Sequence, residues 1–228
     1  MPAKKAAKRP VGHPTDSPDR RAASNGLGGR LRLARERTGV SLRELARRVG
    51  VSASLVSQIE RNLVKPSVGT LYSVANELGL LLDELFRDGE PGAGQGSLAN
   101  GQAPARTADP VQRHSGRKTI RLASGVRWER LTSAPDKDAE FLYVVYDVGG
   151  ASCEEDALVR HGGKEYAYMI SGRLGVRIGF EEYELRPGDS ISFDAQSPHR
   201  LWTIGRNPAV AIWVVLNRHN DSRARTAK

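Results

Sequence analysis

His161 and Glu165 stand four residues apart in the run RHGGKEYAYMISG, and a further imidazole, His199, follows Pro198 at the head of HRLWTIG. Residues four apart on a regular strand fall on one face, so an imidazole and a carboxylate would point the same way. Such side chains can hold a metal, hydrogen-bond a small ligand, or satisfy one another. Few other residues invite chemistry. The chain has no G-x-S-x-G nucleophile turn, no phosphate-binding glycine loop and no dinucleotide fingerprint. Its single cysteine, Cys153, excludes a disulfide framework and a cysteine-based zinc site and fits a reducing, cytoplasmic setting. His114 sits among Gly, Pro and Ala and is a poor candidate ligand.

The elements that must position these residues are strands. From Ile120 to Leu216, β-rich runs recur at VRWERLT, EFLYVVYDV, EYAYMIS, RLGVRIG, EYELR, DSISFD, HRLWTIG and VAIWVVL. Turn signals such as Gly149-Gly150, Ser171-Gly172, Pro187-Gly188 and Asn207-Pro208 separate them. About eight short antiparallel strands at this spacing predict a sandwich or a small barrel. Tyr166 and Tyr168 alternate with Glu165 and belong outside any cavity. Trp128, Trp202 and Trp213 read as core or subunit-interface residues. Arg160 and Arg177 read as exposed.

The N-terminal half has helical periodicity instead. Leu27, Leu31 and Ala34 mark one face of a first helix, which Gly39 stops. Ser41 and Glu44 form an S-x-x-E capping box for a second helix carrying Leu45, Ala46 and Val49. Gly50 is placed to end it in a left-handed conformation, and Ser52 to cap a third helix whose Val56 and Ile59 face back. Small Ala46 allows two helices to cross steeply. A fourth helix runs from about Val68 to Leu78, and LLDELF closes a five-helix bundle.

Charge divides the chain in the same place. Residues 1–24 carry six basic and two acidic side chains, and residues 26–66 nine and three. Residues 125–217 carry ten basic and fourteen acidic. A basic half joined to a mildly acidic half predicts a polyanion-binding module tied to something else. No apolar run reaches the roughly 18–20 residues of a membrane span, and the basic N-terminus lacks the apolar core of a secretory signal.

Residues 27–86, with the SLRELA start, the GVS turn, SQIER and the KPS–TL phrase, resemble the Cro/repressor type of helix-turn-helix domain, the xenobiotic-response-element class of bacterial regulators. The resemblance implies a helix whose N-terminal residues meet base edges in the major groove. Those residues are Ser52, Ala53, Ser54, Ser57 and Gln58. Gln58 can pair bidentately with adenine and the Ala53 methyl can meet a thymine methyl. Arg43, Arg61, Asn62 and Lys65 are expected as phosphate contacts, which position without reading sequence. Arg47 and Arg48 read as a solvated face.

In the second half, His161-x-x-x-Glu165 with Gly172, and Pro187-Gly188-Asp189 followed by Pro198-His199, resemble the two motifs of the cupin family. That resemblance implies a double-sheet barrel with His161, Glu165 and His199 as a facial set for a divalent metal (Fe, Zn, Mn or Ni). Two positions depart: Val159 stands where the family has its first histidine, and Thr203 where it has an asparagine. Val159, Ala167, Met169, Leu201 and Thr203 are expected to line the cavity.

The expected organisation is a disordered basic arm at 1–25, a DNA-binding domain at 26–86 with its motif at 42–61, and a flexible linker at 87–118. A cupin domain at 119–217 and a basic tail at 218–228 follow. A 32-residue linker of this composition spans on the order of 30 Å, so a signal is expected to pass through dimer arrangement and not through a stiff connection. The fold class is thus an all-α five-helix domain plus an all-β antiparallel barrel. The expected function is a cytoplasmic, homodimeric transcription regulator that binds double-stranded DNA and senses a small-molecule effector. The alternative is an iron-dependent cupin oxygenase or epoxidase carrying a helix-turn-helix-like domain.

Overall fold

A computed structural model of the 228-residue chain describes residues 26–86 and 109–218. The basic arm, residues 87–108 of the expected linker and the tail beyond Arg218 lie outside the described residues. The first half contains α1 (Leu27–Arg37), α2 (Leu42–Val49), α3 (Ala53–Glu60) and α4 (Val68–Glu77), closed by a 3₁₀ turn at Leu82–Phe86. The described residues therefore hold four α-helices, not the expected five. LLDELF offers only five residues after Leu81, too few to propagate an α-helix past its costly first turn. It still closes the bundle, with Leu82, Leu85 and Phe86 fully or nearly buried.

Capping explains where the helices begin. The hydroxyls of Ser41, Ser52 and Ser67 accept from the amides of Glu44, Leu55 and Thr70. Only half of the expected capping box forms, because the Glu44 carboxylate turns to Arg47 and Arg48 instead. Gly50 ends α2 at φ 73°, a left-handed conformation that suits a residue without Cβ. The core is Leu31, Leu45, Ala46, Val56, Ile59, Leu71, Val74 and Ala75. Gly28 lets α1 lie against the end of α3, where a Cβ would come within 2.0 Å of the Ile59 carbonyl.

The second half is all β: β1 (Thr119–Arg121), β2 (Val126–Arg130), β3 (Ala139–Tyr146), β4 (Lys164–Ser171), β5 (Leu174–Ile178), β6 (Glu181–Leu185), β7 (Ser190–Asp194), β8 (His199–Thr203) and β9 (Ala209–Leu216). All pairings are antiparallel, in a six-stranded sheet of order β1-β2-β3-β9-β4-β7 and a three-stranded sheet of order β6-β5-β8. The eight expected runs become β2 to β9. The three-residue β1 is additional, too short to show periodicity. The register turns the alternate residues of β4 inward, so Glu165, Ala167 and Met169 are buried while Tyr166 and Tyr168 are exposed.

The two halves are in direct contact. The Gly69 amide donates to the Ser152 carbonyl at 3.0 Å, and the Ala123 amide to the Pro66 carbonyl at 3.0 Å. Tyr72 of α4 is buried against the barrel, with Trp128 5.3 Å away between ring centroids. Arg218, expected to begin a basic tail, is buried, its guanidinium donating to Glu140 and lying over the Tyr72 ring.

Candidate functional site

His161, Glu165 and His199 meet inside the barrel. Glu165 comes from β4, His199 from the start of β8, and His161 from the segment just before β4, its amide donating to the Ala195 carbonyl at 3.0 Å. All three are buried, and one ligand atom of each lies within 4.8 Å of the others. Nε2 of His161 is 2.8 Å from Oε1 of Glu165, and Nε2 of His199 is 3.5 Å from the same oxygen.

The outer hydrogen bonds decide what these atoms offer. Nδ1 of His161 donates to the Gly162 carbonyl and Nδ1 of His199 to the Ser197 carbonyl, each at 2.9 Å. A neutral imidazole protonated at Nδ1 presents a lone pair at Nε2. The second Glu165 oxygen, Oε2, accepts from the Trp213 indole at 2.8 Å. Two lone pairs and one carboxylate oxygen therefore converge with no donor among them, and the His161 Nε2 approach has no hydrogen-bond alignment. Backbone carbonyls behind both histidines and an indole behind the carboxylate are the usual supports of a metal ligand set. The donor set suits a divalent cation, which would draw Nε2 of both histidines and Oε1 of Glu165 and supply Lewis acidity at an open position.

Burial pushes the Glu165 carboxyl up, but the His161 and His199 imidazoles and the Trp213 indole together hold it below the usual carboxylate range. Burial drives the His199 imidazole below its ordinary value against the pull of Glu165. Both directions favour an ionised carboxylate beside a neutral histidine, the protonation states a metal needs.

The cavity above these residues offers water-sized occupants only about 20 Å³, room for an ion or a single water. Val159 and Leu201 line it, together with Trp128, Trp213, Tyr146, Leu142 and Val144. Ala167 and Met169 are buried below it but do not line it. Thr203 turns its hydroxyl to the Asp147 carbonyl at 2.6 Å, leaving it a structural role. Ser152 adds to it from the barrel, and part of the wall comes from the other half of the chain, Val68 and Tyr72 of α4. Tyr72 was not legible as a pocket residue, because its helical spacing assigns it only to α4. Trp128 and Trp213 are core residues that also face the cavity; Trp202 instead lies under the Arg200 guanidinium on the outside.

In the helical half, α3 carries Ser52 at its cap, Ser54 exposed, and Ala53, Ser57 and Gln58 half-buried. Arg43 on α2, Arg61 at the end of α3 and Lys65 beyond it are exposed. Asn62, also exposed, accepts through Oδ1 from the Gly28 amide at 2.8 Å and so caps α1, whose own cap residue, Gly26, has no side chain. Arg47 and Arg48 are exposed and paired, the first with Glu44, the second with Glu44 and Glu77. Those hydrogen bonds hold the Glu44 carboxyl down at about 2. Sequence inspection also missed Arg35, which is buried and grips Glu60 of α3 through two hydrogen bonds of 2.6 and 2.8 Å.

A helix-turn-helix family model matches residues 31–85, and a cupin domain model matches residues 142–215. The HTH-type transcriptional regulator PuuR of Escherichia coli (strain K12) is 23% identical over 195 residues, which cover 86% of this chain and 95% of that protein. The chain is a helix-turn-helix regulator with a cupin domain. Similarity to the HTH-type regulator SutR of the same organism extends over 173 residues at 23% identity, 76% of this chain and 84% of SutR. The crystal structure of an HTH_3 family transcriptional regulator from Vibrio cholerae has the same two-domain fold, with a TM-score of 0.56 and 20% identity over 86% of this chain and 96% of that one.

Proposed function

We propose that this regulator binds operator DNA as a homodimer through α3 and that its cupin domain senses a small molecule at the His161–Glu165–His199 site, with a divalent metal held there. Ser52, Ala53, Ser54, Ser57 and Gln58 would face the base edges, with Arg43, Arg61 and Lys65 on flanking phosphates. The absence of arginine from this set argues against a strong guanine preference. The observation that carries the sensing role is the convergence of three buried acceptors in a pocket walled partly by α4. A ligand there touches both domains, and a ligand acts on DNA binding only if it favours one arrangement of the domains over another.

An oxygenase would use the same three side chains. The relatives that match most of this chain, PuuR and SutR, are named transcriptional regulators, which favours the regulator over the enzyme. Domain boundaries at 26–86 and about 119–217, and a cytoplasmic location, complete the reading.

The test has three arms. Mobility shift with the DNA upstream of its own gene should give a specific complex that salt dissociates; no specific complex at any salt ends the regulator reading. Purified wild-type protein should carry near-stoichiometric metal that a His161→Ala/His199→Ala variant lacks, and equal content in both removes the metal site. Oxygen uptake by iron-loaded protein in the presence of a small organic substrate would instead establish the enzyme.

A further inference from the structure

Tyr72 belongs to the DNA-binding domain by sequence and to the cupin pocket by position. Its ring stacks on the His161 imidazole, with centroids 4.4 Å apart and planes 23° from parallel, and it meets Trp128 at 5.3 Å. The Arg218 guanidinium carbon lies over the ring, 4.1 Å from its centroid. Its hydroxyl donates to Oε2 of Glu140 at 3.3 Å. A flat ring is thus held by an imidazole, an indole and a guanidinium, with a carboxylate receiving its single donor. These are the contacts of a ring-binding site, and a side chain of the same molecule fills it.

We propose that Tyr72 is a resident stand-in for the effector. The effector is then a planar ring compound bearing a hydrogen-bond donor, of phenol-like shape, which takes the place of the Tyr72 side chain and so expels α4 from the mouth of the barrel. This rests on the sensing role given above and adds the class of ligand and the route of the signal. The space of about 20 Å³ left with Tyr72 in place admits an ion but no ring. Tyr72 sits one turn beyond Gly69, whose amide holds α4 to the Ser152 carbonyl, so a displaced Tyr72 carries the start of α4 with it. Since α4 packs against α2 within the helical core, undocking moves the helix-turn-helix as a body relative to the barrel. The route is a direct competition for one slot and needs no rigid linker.

The probe is 4-methylphenol, the tyrosine side chain as a free molecule, titrated calorimetrically into full-length wild type, Tyr72→Ala and Tyr72→Phe. Tyr72→Ala should bind it at least tenfold more tightly than the other two, which keep a ring in the slot. Equal affinity in all three, or no binding to a Tyr72→Ala protein that still melts cooperatively, overturns the proposal. A second variant covers the case in which Tyr72→Ala does not fold. A Cβ added at Gly69 would lie 3.6 Å from the Cys153 Cβ, within disulfide range once the Val159 methyl at 2.9 Å rotates aside. Gly69→Cys should therefore cross-link to Cys153 under mild oxidation, 4-methylphenol should slow that cross-link severalfold, and the oxidised form should bind the probe more weakly than the reduced form. A cross-linking rate unmoved by saturating 4-methylphenol contradicts the competition. Neither readout uses DNA or metal, so failure here leaves operator binding and metal content standing, and failure there leaves this result interpretable.

Discussion

At the scale of single residues, the pocket is decided by which nitrogen of each histidine faces outward. With Nδ1 of His161 and His199 spent on backbone carbonyls, both Nε2 lone pairs face Oε1 of Glu165, and Trp213 fixes the carboxylate from behind. Trp213→Phe should therefore keep the fold but lower metal affinity by about tenfold or more, as loss of an outer-shell partner usually does; competition against a chelating dye measures it. The acid side has a definite sign. His199 and Glu165 both titrate below their ordinary values in the folded protein. The unfolded chain then takes up protons first, so the stability each group contributes is complete above its unfolded pKa and is lost as pH falls toward the folded one. Metal-free protein should lose melting temperature as pH drops below the ordinary histidine value of about 6.5, and again below about 4.3 where Glu165 adds its share. In His199→Asn the first decline should flatten, which a series of thermal melts would reveal. The sequence made the triad legible because motif spacing survives folding. It could not show Tyr72, because the contact between residue 72 and residue 161 depends on how two independently patterned domains dock.

Among the elements, α3 owes its placement to α1 more than to its own composition. Arg35 and Glu60 form a buried, two-bond ion pair, and Arg35 also donates to the Val40 carbonyl at 3.0 Å. Removing one partner strands a charge in the core, which costs about 3–5 kcal/mol. Glu60→Ala should accordingly lower the denaturation midpoint of the full chain and weaken DNA binding at a temperature where the wild type is intact. Chemical denaturation followed by far-UV circular dichroism checks the first, and a mobility shift the second. The helices themselves were readable from caps and periodicity: Ser41, Ser52 and Gly50 do what their positions predict. Asn62 and Arg35 were not, since each acts across 34 or 25 residues of sequence on a neighbour that no local pattern identifies. The fifth helix failed for a local reason, the shortness of the Leu82–Phe86 turn.

For the molecule as a whole, a basic helical half and an acidic barrel suggested modules on a loose tether. The tether lies partly outside the described residues, yet the halves meet directly through α4, Pro66 and Arg218. Contact through buried surface couples the pocket to the DNA-binding half without requiring stiffness in the connecting chain. The proposed phosphate contacts by Arg43, Arg61 and Lys65 in each protomer of a dimer would number six and set a slope of about −5 for log affinity against log salt. Arg61→Ala should reduce that slope by about 2 in a dimer and weaken binding to all sequences alike. The most direct test of DNA reading by α3 is fluorescence anisotropy of a duplex from the protein's own upstream region, titrated beside a scrambled duplex with wild type and Gln58→Ala. The wild type should prefer its own upstream duplex at every salt concentration, and Gln58→Ala should lose most of that preference while retaining the salt slope. Equal affinity of the wild type for both duplexes throughout would contradict it.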